Sequence, residues 1–366
     1  MPEEYTLDEK FMRQALRLAR RGLGKVSPNP LVGAVIVKGG RVIARGYHKY
    51  FGGDHAEVDA LKKAEEDVSG STLYVTLEPC RHWGKTPPCV DAIIKSKIAR
   101  VFVGMLDPFP EMQGKSIELL NKHGIETVVG VMEADCRALN EVYLRWVTAG
   151  RPYVTVKWAQ TLDGKIATAQ GRSRWISSPA SLKLAHKLRA THDAILVGVN
   201  TVLKDDPELT PRLVKGQNPV RVVLDSKLRI PLGSIGLANQ DKAKTLIAAT
   251  PAAPEEKLAA LKKVGIEVLT LPPDSAGHVD LKALLKTLAQ RQISSVLVEG
   301  GAGVITSFLR LGLADKIICI IAPKLMGAGT SPLADLNITD VSQALKLTFT
   351  KVYRSGEDIV VEVNIL

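Results

Sequence analysis

Short apolar runs alternate with amphipathic segments along most of this chain, and that alternation restricts it to layered α/β architectures. In the first half, LVGAVIV (31–37) reads as a buried strand, and Gly39-Gly40 turns the chain into RVIARG, a hairpin signal. HAEVDALKKAEE (55–66) reads as a helix, TLYVTL as a strand, PCVDAIIKSK as a helix and RVFVGM as a strand. GKSIELLNKHG, ended by Gly124, is a helix, IETVVG a strand, and ADCRALNEVYLRWV a single closing helix. Upstream, Thr6-Leu7-Asp8-Glu9 has the pattern of a capping box and opens a helix to about Arg21. A mostly parallel sheet covered by helices is expected.

A boundary falls near Thr148-Ala149-Gly150-Arg151-Pro152, which divides the chain into domains at 1–147 and 148–366. The second domain alternates again through YVTVKWAQ, SLKLAHKLRA, AILVGV, VRVVLD and SSVLVEGG. It ends in ALKLTFTKVYR and DIVVEVNIL with no helix between them, so an antiparallel hairpin is expected at the edge of the second sheet.

Charge is uneven. Residues 1–147 carry 21 Lys and Arg against 19 Asp and Glu, and residues 148–366 carry 28 against 19. A basic second half suits anionic small molecules or nucleic acid, and equally a solvated lysine-rich surface. Aromatics are only 5% of the chain, so no platform for stacking single-stranded bases is evident. No apolar run approaches the roughly 18–20 residues that span a bilayer. The start, MPEEYTLDEK, is acidic and lacks the apolar core of a secretory signal. Four cysteines in 366 residues do not make a disulfide framework, and a reducing, cytoplasmic setting is expected.

Two of those cysteines, Cys80 and Cys89, stand in LEPCRHWGKTPPC, so a disulfide, a metal or neither must account for them. His55-Ala56-Glu57 decides for the metal. One imidazole and two thiolates make a three-ligand zinc set with an open fourth position, the arrangement of a catalytic rather than a structural zinc. Zinc lowers the pKa of a water there toward ~7. Glu57 then reads as a proton carrier between that water and a leaving amine. This is the zinc deaminase signature, with Cys-x8-Cys in place of Cys-x-x-Cys. Pro79, Pro87 and Pro88 stiffen the loop, and Cys89 opens a helix whose amides favour a thiolate. His55 and Glu57 are two apart, and share a site only because they lie at a helix start. A metal clamp has no need of His82 and Lys85; beside a metal they suit an anionic or carbonyl-bearing substrate.

SPNPLVGAVIV (27–37), HAEV and TLEPCRHWGKTPPC together resemble the bifunctional deaminase–reductase family of riboflavin biosynthesis. LDGKIA (162–167), WISS (175–178), TVLKDDP (201–207), PVRVVLD (219–225), VEGG (298–301) and APKLMG (322–327) extend the resemblance through nearly the whole chain. It implies an N-terminal cytidine-deaminase-like α/β/α domain and a C-terminal dihydrofolate-reductase-like domain. It also implies two reactions. A diaminopyrimidinone carrying a ribosylamino phosphate loses its C2 amine to water, and its ribose is then reduced by NADPH to a ribityl chain. By position, the resemblance implies zinc on His55, Cys80 and Cys89, proton transfer by Glu57, and substrate contacts from Asn29, His48, His82 and Lys85. In the second domain it implies Lys157, Ser173, Trp175, Ser177, Asp205, Arg212 and Glu299 at the reductase site. Asp205 or Lys157 is placed to donate a proton on ring opening, and Arg212 to pair with the substrate phosphate. Gly300, Gly301 and Gly303 lie between a strand and a helix, where backbone amides cradle a cofactor phosphate; a tight β–α turn needs the same glycines. Oligomers formed through the reductase domain are implied, with neither nucleic acid nor membrane as partner.

The chain departs from the family at DPFPEMQGK (107–115), where Phe109 replaces an asparagine beside the deaminase pocket, and at Arg81-His82-Trp83, a bulkier and more basic flank. Ser177 stands where threonine is common and keeps the hydroxyl. His123, His186, His192 and His278 carry no partner pattern and read as structural or exposed; Cys136 and Cys319 read as core. Two other readings compete: a nucleobase or tRNA deaminase with a non-reductase basic second domain, and a non-catalytic zinc-stabilised binding protein. Glu57 argues against the second, because a structural zinc has no use for a proton carrier.

Overall fold

A computed structural model describes residues 6–366; Met1 to Tyr5, the start of the acidic N-terminal stretch, lie outside the described residues. The chain forms two compact units, Met1–Gly150 and Arg151–Leu366. Among the described residues no helix is long and apolar enough to cross a membrane.

The first unit holds a five-stranded sheet of β1 (Gly33–Lys38), β2 (Arg41–Tyr47), β3 (Thr72–Val75), β4 (Arg100–Val103) and β5 (Glu126–Val129), in the order β2-β1-β3-β4-β5. β1 runs antiparallel to β2 and to β3, while β3, β4 and β5 are parallel. The helices are α1 (Leu7–Ala19), α2 (Ala56–Lys62), α3 (Cys89–Lys95), α4 (Lys115–Lys122), α5 (Glu133–Leu139) and α6 (Glu141–Ala149). The continuous apolar run of β1 follows from burial on both faces. Ala34 and Ile36 pack with Ala56, Ala60, Val90 and Ile93 from α2 and α3; Val35 and Val37 pack with Phe11, Met12 and Ala15 of α1.

The capping box of α1 forms as expected: Glu9 N–H donates to Thr6 Oγ1 at 3.3 Å and Thr6 N–H to Glu9 Oε2 at 2.7 Å. Gly46 is required by close approach. A Cβ there would collide with Ala56 O and Ala60 N, so its absence lets α2 lie against β2 and fixes where the start of α2 sits.

Two elements differ from expectation. The helix starting at His55 stops at Lys62, well short of Glu66. The single closing helix is two, broken at Asn140 (φ −106°, ψ 22°). There the Asn140 side chain accepts from Leu31 N–H at 2.8 Å and donates to Leu31 O at 3.1 Å. This long-range pair competes with the helical ladder for the asparagine, a residue suited to such breaks. α6 then continues to Ala149 and ends at Gly150, whose φ of +61° is left-handed.

The second unit is built on β6 (Tyr153–Thr161), β7 (Ala167–Thr168), α7 (Pro179–Thr191), β8 (Ala194–Gly198), α8 (Val199–Asp205), β9 (Val220–Leu224) and β10 (Thr245–Ala249). It continues through α9 (Glu255–Lys263), β11 (Glu267–Thr270), α10 (Leu281–Gln290), β12 (Ser295–Val298), α11 (Ala302–Arg310), β13 (Lys316–Ala322), β14 (Gly329–Thr330), β15 (Leu347–Ser355) and β16 (Asp358–Ile365). Nine strands form one sheet in the order β11-β10-β9-β8-β12-β6-β13-β16-β15. Its strands are parallel up to β13, after which β16 and β15 form the expected antiparallel edge hairpin. β8, β12 and β6 lie side by side, with Val298 opposite Leu196 and Val156. Glu299, just past the carboxyl end of β12, therefore lies beside Lys157 in the middle of the longer β6, and the end of β12 is where open α/β sheets bind ligands.

Candidate active sites

His55 is the N-cap of α2, Cys89 is the first residue of α3, and Cys80 lies in the loop after β3. The three ligand atoms lie within 4.8 Å of one another. His55 Nδ1 is 3.2 Å from Cys89 Sγ and 3.3 Å from Cys80 Sγ. Tetrahedral zinc with ordinary bond lengths sets such N–S edges at roughly 3.6 Å, so this donor set fits zinc after a small expansion. The electrostatics agree. Cys89, whose N–H also donates to Cys80 Sγ at 3.3 Å, draws the Cys80 thiol well below its ordinary value. Cys89 itself is pushed up. The two sulfurs thus share one negative charge, and a bound cation is what allows both to be thiolates.

Glu57, in the first turn of α2, is buried, and its Oε2 has no hydrogen-bond partner. Burial raises it to about 7, opposed by the charge of His55. A carboxylate buried without a partner is costly unless a cation or a substrate answers it. His55 at the cap and Glu57 two residues on, still in the first turn, lie at the same helix end, where the His55 and Cys80 charges act on the Glu57 carboxyl.

Asn29 and His48 are brought together. His48 Nδ1–H donates to Asp54 O at 2.9 Å, which leaves Nε2 to accept from Asn29 Nδ2 at 3.1 Å. Burial lowers the His48 pKa and so favours the neutral ring, whose tautomer the Asp54 and Asn29 partners set. Asn29 is thereby fixed with Oδ1 as its free acceptor. The His48 ring also meets the His55 ring edge-on at 5.4 Å. Lys85 Nζ lies 3.7 Å over the Phe51 ring, and the His82 ring is 6.3 Å from the Phe109 ring. The family-departing Phe109 thus supplies an aromatic face beside His82.

Glu78, one residue before Pro79, was not singled out from the sequence. It is buried, and its carboxylate accepts from the N–H groups of Asp107, Gly114 and Ser116 at 2.9–3.1 Å. It ties the loop that carries Phe109 to the loop that carries Cys80. Asp107 is held in turn by the Tyr143 hydroxyl at 3.0 Å and the Phe109 N–H at 2.9 Å. Nothing local in the sequence marks this triple acceptance, which depends on loops 29–38 residues away.

In the second unit Lys157 and Glu299 share a charge cluster, and Arg189 and His186 join it. Arg189 of α7 donates to Glu299 through Nε at 3.2 Å and Nη2 at 2.6 Å. Despite burial, Arg189 and Lys157 hold Glu299 down at about 2. Burial lowers Lys157. His186, expected to be structural or exposed, is buried against this cluster; burial first, then Arg189 and Arg212, lower it to about 4. Sequence reasoning missed Arg189 and His186 because their helix has no partner pattern of its own.

Other expected residues sit on the surrounding segments. The backbone of 174–176, between Ser173 and Ser177, is tied at both sides. Arg174 Nη2 donates to Asp205 O at 3.0 Å, and Lys324 Nζ donates to Trp175 O at 2.9 Å and Ile176 O at 2.7 Å. Trp175 itself is exposed. Asp163 accepts from Met326 N–H, Gly327 N–H and the Thr161 hydroxyl, which hold it at about 2 and lock the LDGK turn onto the APKLMG segment. Arg212 does not touch Glu299. It is half-exposed, 3.9 Å from Glu208. Of the three glycines, Gly300 is sterically required, since a Cβ would press on Val304; Gly301 and Gly303 have room for one. Gly301 caps α11 and faces Thr201 of α8.

Known proteins carry the same two units. Residues 5–105 match the cytidine and deoxycytidylate deaminase zinc-binding region, and residues 152–361 match the RibD C-terminal domain. The riboflavin biosynthesis protein RibD of Aquifex aeolicus is 49% identical over 97% of this chain and 98% of its own. That of Escherichia coli is 39% identical over 96% and 98%. The crystal structure of a diaminohydroxyphosphoribosylaminopyrimidine deaminase/5-amino-6-(5-phosphoribosylamino)uracil reductase from Thermotoga maritima superposes with a TM-score of 0.86 at 40% identity, covering 98% of this chain and 99% of that one. Acinetobacter baumannii RibD superposes with a TM-score of 0.87 at 36% identity, over 98% and 99%. With the His-Cys-Cys cluster and its buried glutamate in one unit and the buried Lys157, Arg189 and Glu299 charges in the other, the chain belongs to the RibD family of riboflavin biosynthesis proteins, zinc-dependent deaminase and reductase in one polypeptide.

Proposed function

We propose that the first unit hydrolyses the C2 amine of 2,5-diamino-6-(5-phosphoribosylamino)pyrimidin-4-one, and that the second reduces the ribosyl group of the product to 5-amino-6-(5-phosphoribitylamino)uracil. The observation that carries the reading is Glu57, a buried carboxylate with an unpartnered oxygen beside His55, Cys80 and Cys89. Zinc held by those three residues supplies the Lewis acidity that makes water a nucleophile near neutral pH. Glu57 takes the proton from the attacking water and delivers it to the departing amine. Asn29, its amide fixed by His48, offers Oδ1 to a substrate N–H. His82 and Lys85 meet the polar edge and the phosphate-bearing side of the substrate.

In the second unit, NADPH supplies the hydride that C1′ accepts once the ribose ring has opened to an imine. Lys157 or Asp205 donates the proton that opening requires, and Glu299, kept anionic by Arg189, sets the field around Lys157. Arg212, only loosely paired, is available to the substrate phosphate. Ser173, Trp175 and Ser177 line the approach on a segment tied to Asp205 and Lys324. Backbone amides at Gly300, Gly301 and Gly303 receive a cofactor phosphate at the start of α11.

The working form is a cytoplasmic homo-oligomer joined through the reductase unit, with small molecules and not nucleic acid as ligands. The edge strand β15 supports this: Phe349 is 71% and Val352 61% exposed on a strand paired on one side only.

Mass spectrometry of the diaminopyrimidinone ribosyl phosphate, incubated with zinc-loaded protein, tests both steps. Exchange of amine for oxo without NADPH, and two further hydrogens with it, is expected. Exchange alone would remove the reductase reading, and no change at all would remove both.

A further inference from the structure

Helix α7 places His186 and Arg189 three residues apart, on one face. Both reach the same irregular segment. Arg189 Nη1 donates to Thr210 O at 3.4 Å, and His186 Nδ1 accepts from Leu213 N–H at 3.4 Å. The two bonds bracket Arg212. That arginine has little else to hold it: it is half-exposed, and its ion-pair partner Glu208, at 3.9 Å, belongs to the same segment. Within the segment, Val214 N–H bonds Pro211 O at 3.2 Å, a turn with Arg212 at its bend.

From this bracketing we propose that His186 is a positioning residue for Arg212. Its Nδ1 lone pair holds the Leu213 amide and so aims the guanidinium at the phosphate of the reductase substrate. The role needs an imidazole that accepts at Nδ1 and carries its proton on Nε2, hence a neutral ring. The surroundings enforce that state. His186 is 4% exposed, and burial together with the Arg189 and Arg212 guanidiniums keeps it neutral down to about pH 4. A protonated ring would present an N–H to an N–H and release the segment. The inference rests on the reading of Arg212 as the phosphate ligand.

The test compares full-length variants in NADPH-dependent reduction of the deaminated intermediate. Asn places Oδ1 where His places Nδ1, Gln places its terminal group where His places Nε2, and Leu keeps bulk without an acceptor. H186N is expected to keep KM for the phosphorylated intermediate near that of the parent. H186Q and H186L are expected to raise it about 3- to 10-fold, the worth of one hydrogen bond, with kcat changed less than about twofold. A reductase kcat within about twofold of the parent reports that the second unit, which carries His186, is folded in each variant. Hydrogen exchange at the Leu213 amide should quicken in H186Q and H186L and not in H186N. An unchanged Leu213 exchange rate in H186L, or H186N as impaired as H186L, overturns the positioning role. R212A separates the two claims: if it leaves KM unchanged, the phosphate reading of Arg212 fails even where Leu213 exchange still follows His186.

Discussion

Arg189 and Glu299 stand 110 residues apart in sequence and meet through two hydrogen bonds, at 3.2 and 2.6 Å, with their side chains only 13% and 9% exposed. A fork of this kind between a helix and a strand end joins the elements that build the reductase site. Removing Arg189 takes away both hydrogen bonds and leaves Glu299 buried with only the Lys157 charge to answer it. Arg189→Met should therefore destabilise the second unit by about 3 kcal/mol, measured as a shift of its denaturant transition. The pH dependence has a definite sign. Glu299 titrates at about 2 in the folded protein against an ordinary 4.5, so its contribution is complete above about pH 4.5 and is lost as pH falls toward 2. The parent should lose stability across that window more steeply than Arg189→Met. Equal acid sensitivity would contradict the pairing.

Glu57→Gln keeps the shape of the side chain and removes its proton transfer. Deamination should fall by about 10²- to 10⁴-fold, the usual worth of a general acid–base group. Zinc content, measured by plasma emission spectrometry, should stay near one per chain, and NADPH-dependent reduction of the deaminated intermediate should persist. Loss of zinc in this variant would assign Glu57 a structural part.

Glu78→Gln replaces an all-acceptor carboxylate with a group that carries its own N–H. Three backbone amides converge on that carboxylate, so at least one is left facing a donor or nothing. The expected cost is about 1–3 kcal/mol in the first unit, with faster zinc loss to a chelator, because the Cys80 and Phe109 loops come apart together. Both are read in one thermal and metal-release series.

Phe349→Lys with Val352→Lys puts charge on the exposed face of β15. Sedimentation should show a shift toward monomer at unchanged deaminase activity. An unaltered assembly would move the interface elsewhere.

Which elements exist, and what metal chemistry one end carries, was written in the sequence, because both depend on local pattern. Within the apolar run at 31–37, Ala34 and Ile36 face one core and Val35 and Val37 the other, the mark of a strand buried on both faces. His55, Glu57, Cys80 and Cys89 announce themselves through residue types that have few other uses in that order. The tertiary structure decided the rest. Asn140 splits a helix because Leu31 reaches it across 109 residues. Glu78, Arg189 and His186 gain their roles from partners 27–110 residues away. Local periodicity reports which face of an element is buried. What a buried charge meets there depends on chain segments that come together only on folding, and in low dielectric that partner determines whether the charge orients a site or destabilises it.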